Sequence, residues 1–146
     1  MKLTIGLCLA FGLLIAAAAP KKDANDQDRL QGTWTLIAGE ADGKALPENE
    51  LAGGRLVLKG DDYMVTLAGK GTVTGTQTLD TAKNPRQIDI RDASGSNSGK
   101  ACFGIYELEG DEFRVAFASS GKPRPTNFAT TADSGQWMHV WHRVQE

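Results

Sequence analysis

The feature that most constrains the fold is a series of short segments in which apolar and polar residues alternate, separated by turns rich in glycine and aspartate. In Arg86–Arg91, for example, Ile88 and Ile90 share one face of an extended chain and polar residues occupy the other. A period of two residues is typical of antiparallel strands with one face in a core and the other in water. Eight such segments are predicted, at residues 33–38, 55–58, 63–67, 72–79, 86–91, 100–108, 113–117 and 136–144. The chain is therefore predicted to be all-β, with helix limited to single turns near 28–32 and 47–51.

The connections between these segments favour a closed sheet. Most are short turns, and one of the longest, Ala118–Gly135, contains two prolines and precedes the last strand. Sequential strands joined in this way predict an eight-stranded antiparallel up-and-down β-barrel, an architecture that leaves no unpaired strand edge. A two-sheet sandwich has the same turn spacing and is the alternative fold.

The first residues have the pattern of a secretory signal peptide. A lysine near the start precedes an apolar run that ends at Ile15, and the small residues at 16–19 offer a peptidase site. We therefore predict that residues 1–18 are removed and that the protein is secreted or periplasmic, without stable membrane insertion after cleavage. The alternative is a lipid anchor, which needs a cysteine at the end of the apolar run, whereas Cys8 lies in its middle.

The domain boundaries follow from the signal peptide. Residues 19–29 are charged and lack apolar periodicity, so they are predicted to be a flexible leader, and residues 30–146 are predicted to form the barrel domain. Removal of the signal peptide leaves Cys102 as the sole cysteine, which excludes an intramolecular disulfide. We expect Cys102 to be a small buried residue within a strand.

The charge balance argues against nucleic acid as a partner. The chain has 16 Lys and Arg against 18 Asp and Glu, a formal net charge of −2, and its basic residues are scattered along the sequence. A nucleic-acid surface needs clustered cations to neutralise phosphates. We predict no nucleic-acid partner, and the sequence identifies no protein partner.

The residues capable of chemistry do not form a recognised catalytic or metal motif. His139 and His142 are three positions apart in a predicted strand, so they face opposite sides and cannot bind one metal together. Cys102 has no histidine placed by a known motif, although a pairing in three dimensions stays open. Acidic pairs such as Asp61-Asp62 border turns, where charged side chains are ordinarily solvated. We predict that the protein is not an enzyme and has no metal or cofactor.

Two loops carry weaker signs of binding. Asp92–Gly99 offers oxygen ligands for calcium but lacks the second and third carboxylates of a strong site. Gly121–Thr126 combines cations with prolines and would suit an anionic head group near a barrel mouth. The favoured interpretation of Gly121–Thr126 is a stiff connection whose cations are solvated.

Residues of the first and last predicted strands resemble those of lipocalins. Gly32-Thr33-Trp34 opens the first strand like the Gly-x-Trp signature of that family, and Arg143 resembles the basic residue that covers this tryptophan. The physical basis of such an arrangement is a cation over the face of an aromatic ring. The resemblance therefore implies a structural barrel floor formed by Trp34 and Arg143.

A longer set of segments is similar to one particular group, an uncharacterised lipocalin-like domain family of exported and multidomain proteins typical of planctomycete bacteria. The similarity covers about residues 28–144 and implies a barrel, export and a capacity for ligand binding, without an activity. Cys102, Phe103 and the aromatic segment 136–140 depart from the family pattern. The matching segments are Leu30–Trp34, Leu79-Asp80, Lys83–Pro85, Ile88-Asp89, Gly104–Asp111, Gly121–Thr126 and Trp141.

The inward faces of the predicted strands define a candidate binding site. We expect a non-catalytic barrel that binds a small apolar or amphipathic ligand in its interior. The alternative is a cell-envelope interaction or structural module that contacts a protein or polysaccharide through its outer face or loops. A concave interior of about 300 Å³ or more would favour the ligand. Strand alternation predicts that the interior is lined by Leu56, Tyr63, Val65, Leu67, Val73, Ile88, Ile90, Tyr106, Phe113, Val115 and Phe117.

Overall fold

The computed structural model describes residues 25–146, so the predicted signal peptide lies outside the described part of the chain. This part contains two short helices and nine strands. Neither helix of residues 25–146 has the length and apolar content needed to cross a membrane. The helices are α1 (Asp26–Leu30) and α2 (Glu48–Leu51), and the strands are β1 (Gly32–Ala41), β2 (Lys44–Ala45), β3 (Arg55–Lys59), β4 (Asp62–Leu67), β5 (Gly71–Asp80), β6 (Arg86–Asp92), β7 (Ala101–Glu109), β8 (Glu112–Phe117) and β9 (Trp137–Arg143).

Eight of the strands close into an antiparallel barrel. From β3 to β9 each strand pairs with the next along the chain, and β1 pairs with both β3 and β9, which closes the sheet. The closing register places Trp34 opposite Arg143 and Leu36 opposite Trp141, with an irregularity between Leu36 and Ala38. The two-residue β2 is an extra strand that pairs with the end of β1. The predicted up-and-down barrel is confirmed, and the sandwich alternative is wrong.

The strand directions give the barrel two different ends. Because β1 starts at Gly32 directly after α1, the turns that follow β3, β5 and β7 lie at the same end as α1. We call this the closed end. The connections after β4, β6 and β8 lie at the opposite end, which we call the mouth.

The closed end holds the most deeply buried side chains. Leu30, Trp34 and Tyr106 are fully buried, and the Trp34 and Phe113 rings have centroids 5.8 Å apart. Trp34 Nε1 donates a hydrogen bond of 2.9 Å to the Leu30 carbonyl oxygen, which satisfies the polar group of the buried indole. The helix α1 is therefore joined to the barrel by packing and by a buried hydrogen bond.

The ordered domain begins earlier than the sequence predicts. Helix α1 starts at Asp26, so the expectation of a flexible leader at 19–29 is corrected for residues 26–29. The Asp26 carboxylate accepts hydrogen bonds from Arg86 at 2.6 Å and from the Tyr106 hydroxyl at 2.7 Å. These partners are 60 and 80 positions away in the sequence, so the local pattern of charges gave no sign of them. Residues 19–24 lie outside the described part of the chain.

Part of the long connection between β8 and β9 lies against the outer wall of the barrel. Arg124 forms an ion pair of 2.6 Å with Asp89 of β6 and stacks 5.2 Å from the ring centroid of Phe103 of β7. Ile105 and Ala116 form a cross-strand pair on the outer face of this region and are nevertheless almost fully buried. The Arg124 cation is thus partnered rather than solvated, which leaves it committed to the barrel wall and not to a head group.

Candidate functional site

The barrel interior contains a cavity of about 630 Å³ that extends to the mouth. Its lining comes from β3, β4, β5, β6, β8 and β9, with additional residues from α1, β1, β7 and the mouth loops. Strand alternation explains the lining, because every second residue of a barrel strand faces inward. Ten of the predicted interior residues line the cavity: Leu56, Tyr63, Val65, Leu67, Val73, Ile88, Ile90, Phe113, Val115 and Phe117.

Tyr106 is the predicted interior residue that does not line the cavity. It faces inward but lies at the closed end, where its hydroxyl donates to Asp26 and its ring contacts the edge of Phe113 at a centroid distance of 6.2 Å. Alternation along a strand fixes which face a residue occupies and leaves its depth undetermined. Tyr106 is therefore part of the barrel floor and not of the cavity surface.

The two sides of the cavity differ in chemistry. Most lining residues from β3 to β6 are aliphatic, the exceptions being Tyr63, Gln77 and Asp92, whereas β8 and β9 present mainly aromatic rings. Trp137 packs against Phe117 with ring centroids 5.3 Å apart, and Trp141 meets the ring of His139 edge-on at 5.5 Å. The aromatic character of 136–140 is evident in the sequence, but these residues were not predicted to face the interior. Their alternation at 137, 139 and 141 was the signal that could have predicted it.

The predicted pair Trp34 and Arg143 meets below the cavity. The Arg143 guanidinium carbon lies 4.2 Å from the Trp34 ring centroid, within cation–π range. Arg143 also donates to the Gln31 carbonyl oxygen at 2.8 Å and to the Arg29 carbonyl oxygen, and its Nε lies 3.3 Å from Asp111. The side chain therefore fastens the end of α1 to the closed end of the barrel.

His139 is a neutral base in the cavity wall. Its side chain lines the cavity with 9% of its surface exposed, and the hydrogen bonds found within residues 25–146 do not involve its ring. Burial lowers the pKa of His139 to about 4, and the positive charge of Lys70 contributes in the same direction. His142 is exposed on the outer face, which confirms the predicted opposite orientation of the two histidines.

Tyr63 of β4 and Asp92 of β6 form a polar contact on the β3–β6 side of the cavity. The Tyr63 hydroxyl donates to an oxygen of Asp92 at the end of β6. Gly75, opposite Tyr63 in the neighbouring strand, has no side chain where the phenol ring lies, and a Cβ there would overlap the ring. Burial raises the pKa of Tyr63, and the hydrogen bond to Asp92 and its charge act in the same direction. Tyr63 therefore stays a neutral donor committed to Asp92.

Cys102 lines the same cavity with 4% of its surface exposed, so the expectation of a buried strand cysteine is confirmed. Burial raises the pKa of its thiol, as does the nearby charge of Asp92, against a smaller opposing effect of a hydrogen bond from the Ser120 backbone. A thiol in this state is a poor nucleophile because the reactive thiolate is disfavoured.

Gln77 adds a buried amide to the cavity wall. Its Nε2 donates to Gln27 Oε1 at 3.1 Å, and the Gln27 amide is oriented by its own donation to the Gly60 carbonyl oxygen at 2.7 Å. Gln77 Oε1 is thereby left without a hydrogen-bond partner, the single such buried side-chain oxygen or nitrogen in residues 25–146. An unpaired buried oxygen costs free energy, so the Gln77 side chain contributes unfavourably to the stability of the fold.

The mouth is lined by polar groups from several loops. Lys70 comes from the turn between β4 and β5, Ser96 and Asn97 come from the loop after β6, and Asp42 comes from the turn after β1. Asp42 accepts a hydrogen bond from the Gly135 amide. No cluster of three or more His, Cys, Asp or Glu side chains suited to a metal occurs in residues 25–146. The mouth is thus a polar rim above an apolar interior.

Comparisons with models of protein families, with curated proteins and with solved structures find no match for this chain.

Proposed function

We propose that the protein is an exported, non-catalytic, lipocalin-like barrel that binds one small apolar or amphipathic molecule in its interior. The observation that carries this proposal is the cavity of about 630 Å³. Sites for small ligands typically measure about 300–1,000 Å³ and combine apolar walls with a few polar groups. Export rests on the N-terminal sequence pattern, and the family likeness is supported by the stacked Trp34 and Arg143.

The chemistry of the walls supports an apolar occupant. Mainly aliphatic side chains cover one side and mainly aromatic rings the other, so an apolar molecule inside would remove both from water. Burial of apolar surface is worth about 25 cal/mol per Å², which makes the hydrophobic effect the main driving force for binding here. The polar rim provides hydrogen-bonding groups for the end of the molecule that stays near solvent.

The outer surface offers less support for a protein-binding module. Among residues 25–146 the large apolar side chains that are exposed are Ile37, Met64, Phe103 and Val144. They come from different parts of the barrel, and Phe103 is stacked under Arg124. Single exposed apolar residues are common on protein surfaces and do not mark an interface.

Titration with a neutral fluorescent probe, 1-aminoanthracene, tests the proposal. Val73 faces the cavity from β5, so Val73→Trp should fill part of the cavity and weaken probe binding by about tenfold or more. Thr72 is the exposed neighbour of Val73 on the same strand, which makes Thr72→Trp a matched control. The proposal predicts saturation at one probe per chain, with an affinity that falls in Val73→Trp and is retained in Thr72→Trp. Equal binding by both variants would place the probe outside the barrel.

A further inference from the structure

Two nitrogen groups on the cavity surface lack an acceptor. His139 lies in the wall with nine-tenths of its surface buried, and the hydrogen bonds within residues 25–146 leave its ring unpartnered. Lys70 lies at the mouth of the same cavity, and the ion pairs found within the described residues do not include it. One side chain is a neutral N–H donor and the other is a cation.

The two groups act on the same region of the cavity. Both side chains line the same cavity, His139 from β9 and Lys70 from the turn between β4 and β5, and the charge of Lys70 contributes to the lowered pKa of His139. The carboxylates that line the cavity are already engaged, because Asp92 accepts from the Tyr63 hydroxyl and Asp42 accepts from the Gly135 amide. The exposed Lys70 and the cavity-facing His139 are therefore both free to meet an acceptor on a ligand.

We propose that Lys70 and His139 bind the carboxylate of a single-chain amphipathic acid whose hydrocarbon chain occupies the barrel. This inference rests on the proposed function and specifies the class of ligand. A carboxylate has two oxygens and one negative charge, which matches one ammonium donor and one neutral N–H donor. A phosphate monoester carries up to two charges beside a single cation, with Asp42 and Asp92 on the same cavity surface, and fits less well.

The test compares decanoic acid with 1-decanol, two ligands that share a ten-carbon chain and differ in the head group. Each is titrated as a competitor of 1-aminoanthracene at about pH 8, where the acid is ionised. Lys70→Gln should weaken decanoate binding about three- to tenfold and leave decanol binding within about twofold. Lys59 is exposed at the closed end, so Lys59→Gln makes the same change in net charge far from the mouth and should alter neither affinity.

A second pair of variants tests the histidine. His139→Phe keeps a ring in the wall and removes the N–H donor, so decanoate should again lose affinity relative to decanol, about threefold. His142→Phe, on the outer face, is the matched control and should leave both affinities unchanged.

The outcomes separate the two proposals. If decanoate and decanol respond alike to Lys70→Gln and to His139→Phe, the assignment of the carboxylate site is wrong, while binding in the barrel stands. If decyl phosphate binds more tightly than decanoate, the site selects phosphate and the carboxylate proposal is overturned. If neither decanoate nor decanol displaces the probe from the unmodified protein, the proposed function itself fails.

Discussion

His139 is a basic side chain in an apolar wall, and this placement makes stability depend on pH. Its pKa is about 4 in the folded protein against an ordinary value of 6.5, so the unfolded chain binds the proton more readily. Stability from this residue is fully present above about pH 6.5 and is lost as the pH falls towards about 4. We expect the free energy of unfolding to fall by about 2–3 kcal/mol between pH 7 and pH 4.5, measured by urea unfolding.

The control for this prediction is His139→Phe, which removes the titrating group. In this variant the free energy of unfolding should depend much less on pH over the same interval. The pKa values of Asp26 and Glu40 are lowered from 3.8 and 4.5, so the stability that these carboxylates contribute is lost only at lower pH. A pH dependence that survives in His139→Phe would assign it to other groups.

Cys102 provides a second residue-scale prediction. Because its thiol is buried and its pKa is raised, we expect a water-soluble thiol reagent to modify the native protein at least about a hundredfold more slowly than the urea-unfolded chain. Since the thiol lines the cavity, a bound apolar molecule should slow the native reaction further. Rapid labelling of native protein, unaffected by ligand, would contradict this placement of the thiol.

The substitution Arg143→Ala tests the stacking of Arg143 on Trp34 in the barrel floor. Removing the guanidinium in Arg143→Ala should change the fluorescence of Trp34, because the cation lies over its ring. The chain has three tryptophans, so the same substitution is made in a Trp34→Phe background, where the emission change should largely disappear. An equal change in both backgrounds would mean that the spectrum reports Trp137 or Trp141.

At the scale of elements, α1 depends on contacts that no local pattern contains. Burial alone would raise the pKa of Asp26, but hydrogen bonds from Tyr106 and Arg86 and the charges of Arg86 and Arg29 outweigh it and lower the pKa. Asp26→Ala leaves the Tyr106 hydroxyl and the Arg86 guanidinium without this acceptor, and should destabilise the fold by about 2–4 kcal/mol in chemical unfolding. Asp28, exposed on the same helix, gives the control Asp28→Ala, expected to cost under about 1 kcal/mol. Equal losses of unfolding free energy in the two variants would contradict a specific contribution of Asp26 to the docking of α1.

The strands were predictable from the sequence, whereas the docking of α1 was not. Alternation and glycine turns located all eight barrel strands, since one face of each meets the core and the other meets water. The leader was predicted as flexible because its charges suggested solvation, and only the folded barrel brings Arg86 and Tyr106 to Asp26. The same limit applies to Arg124, whose partners in β6 and β7 are distant in sequence.

At the scale of the whole molecule, the cavity results from the closed barrel and from how its side chains fill the space. Alternation predicted the inward faces and hence most of the lining, but it could not separate Tyr106 at the floor from Phe113 above it. Nor could it show that the side chains leave about 630 Å³ unfilled, because this volume depends on the closure and the packing of all eight strands. The aromatic residues of β9 reached the site only once the barrel closed between β1 and β9.

Calorimetric titration of 1-decanol into the protein at several temperatures tests most directly whether this cavity is a binding site. Binding inside the barrel should give one decanol per chain and a negative heat-capacity change, the robust sign of apolar burial. Binding should be at least about tenfold weaker in Val73→Trp, which fills part of the cavity, and unchanged in Thr72→Trp. No saturable binding to the unmodified protein, or the same binding by Val73→Trp, would contradict a ligand-binding barrel.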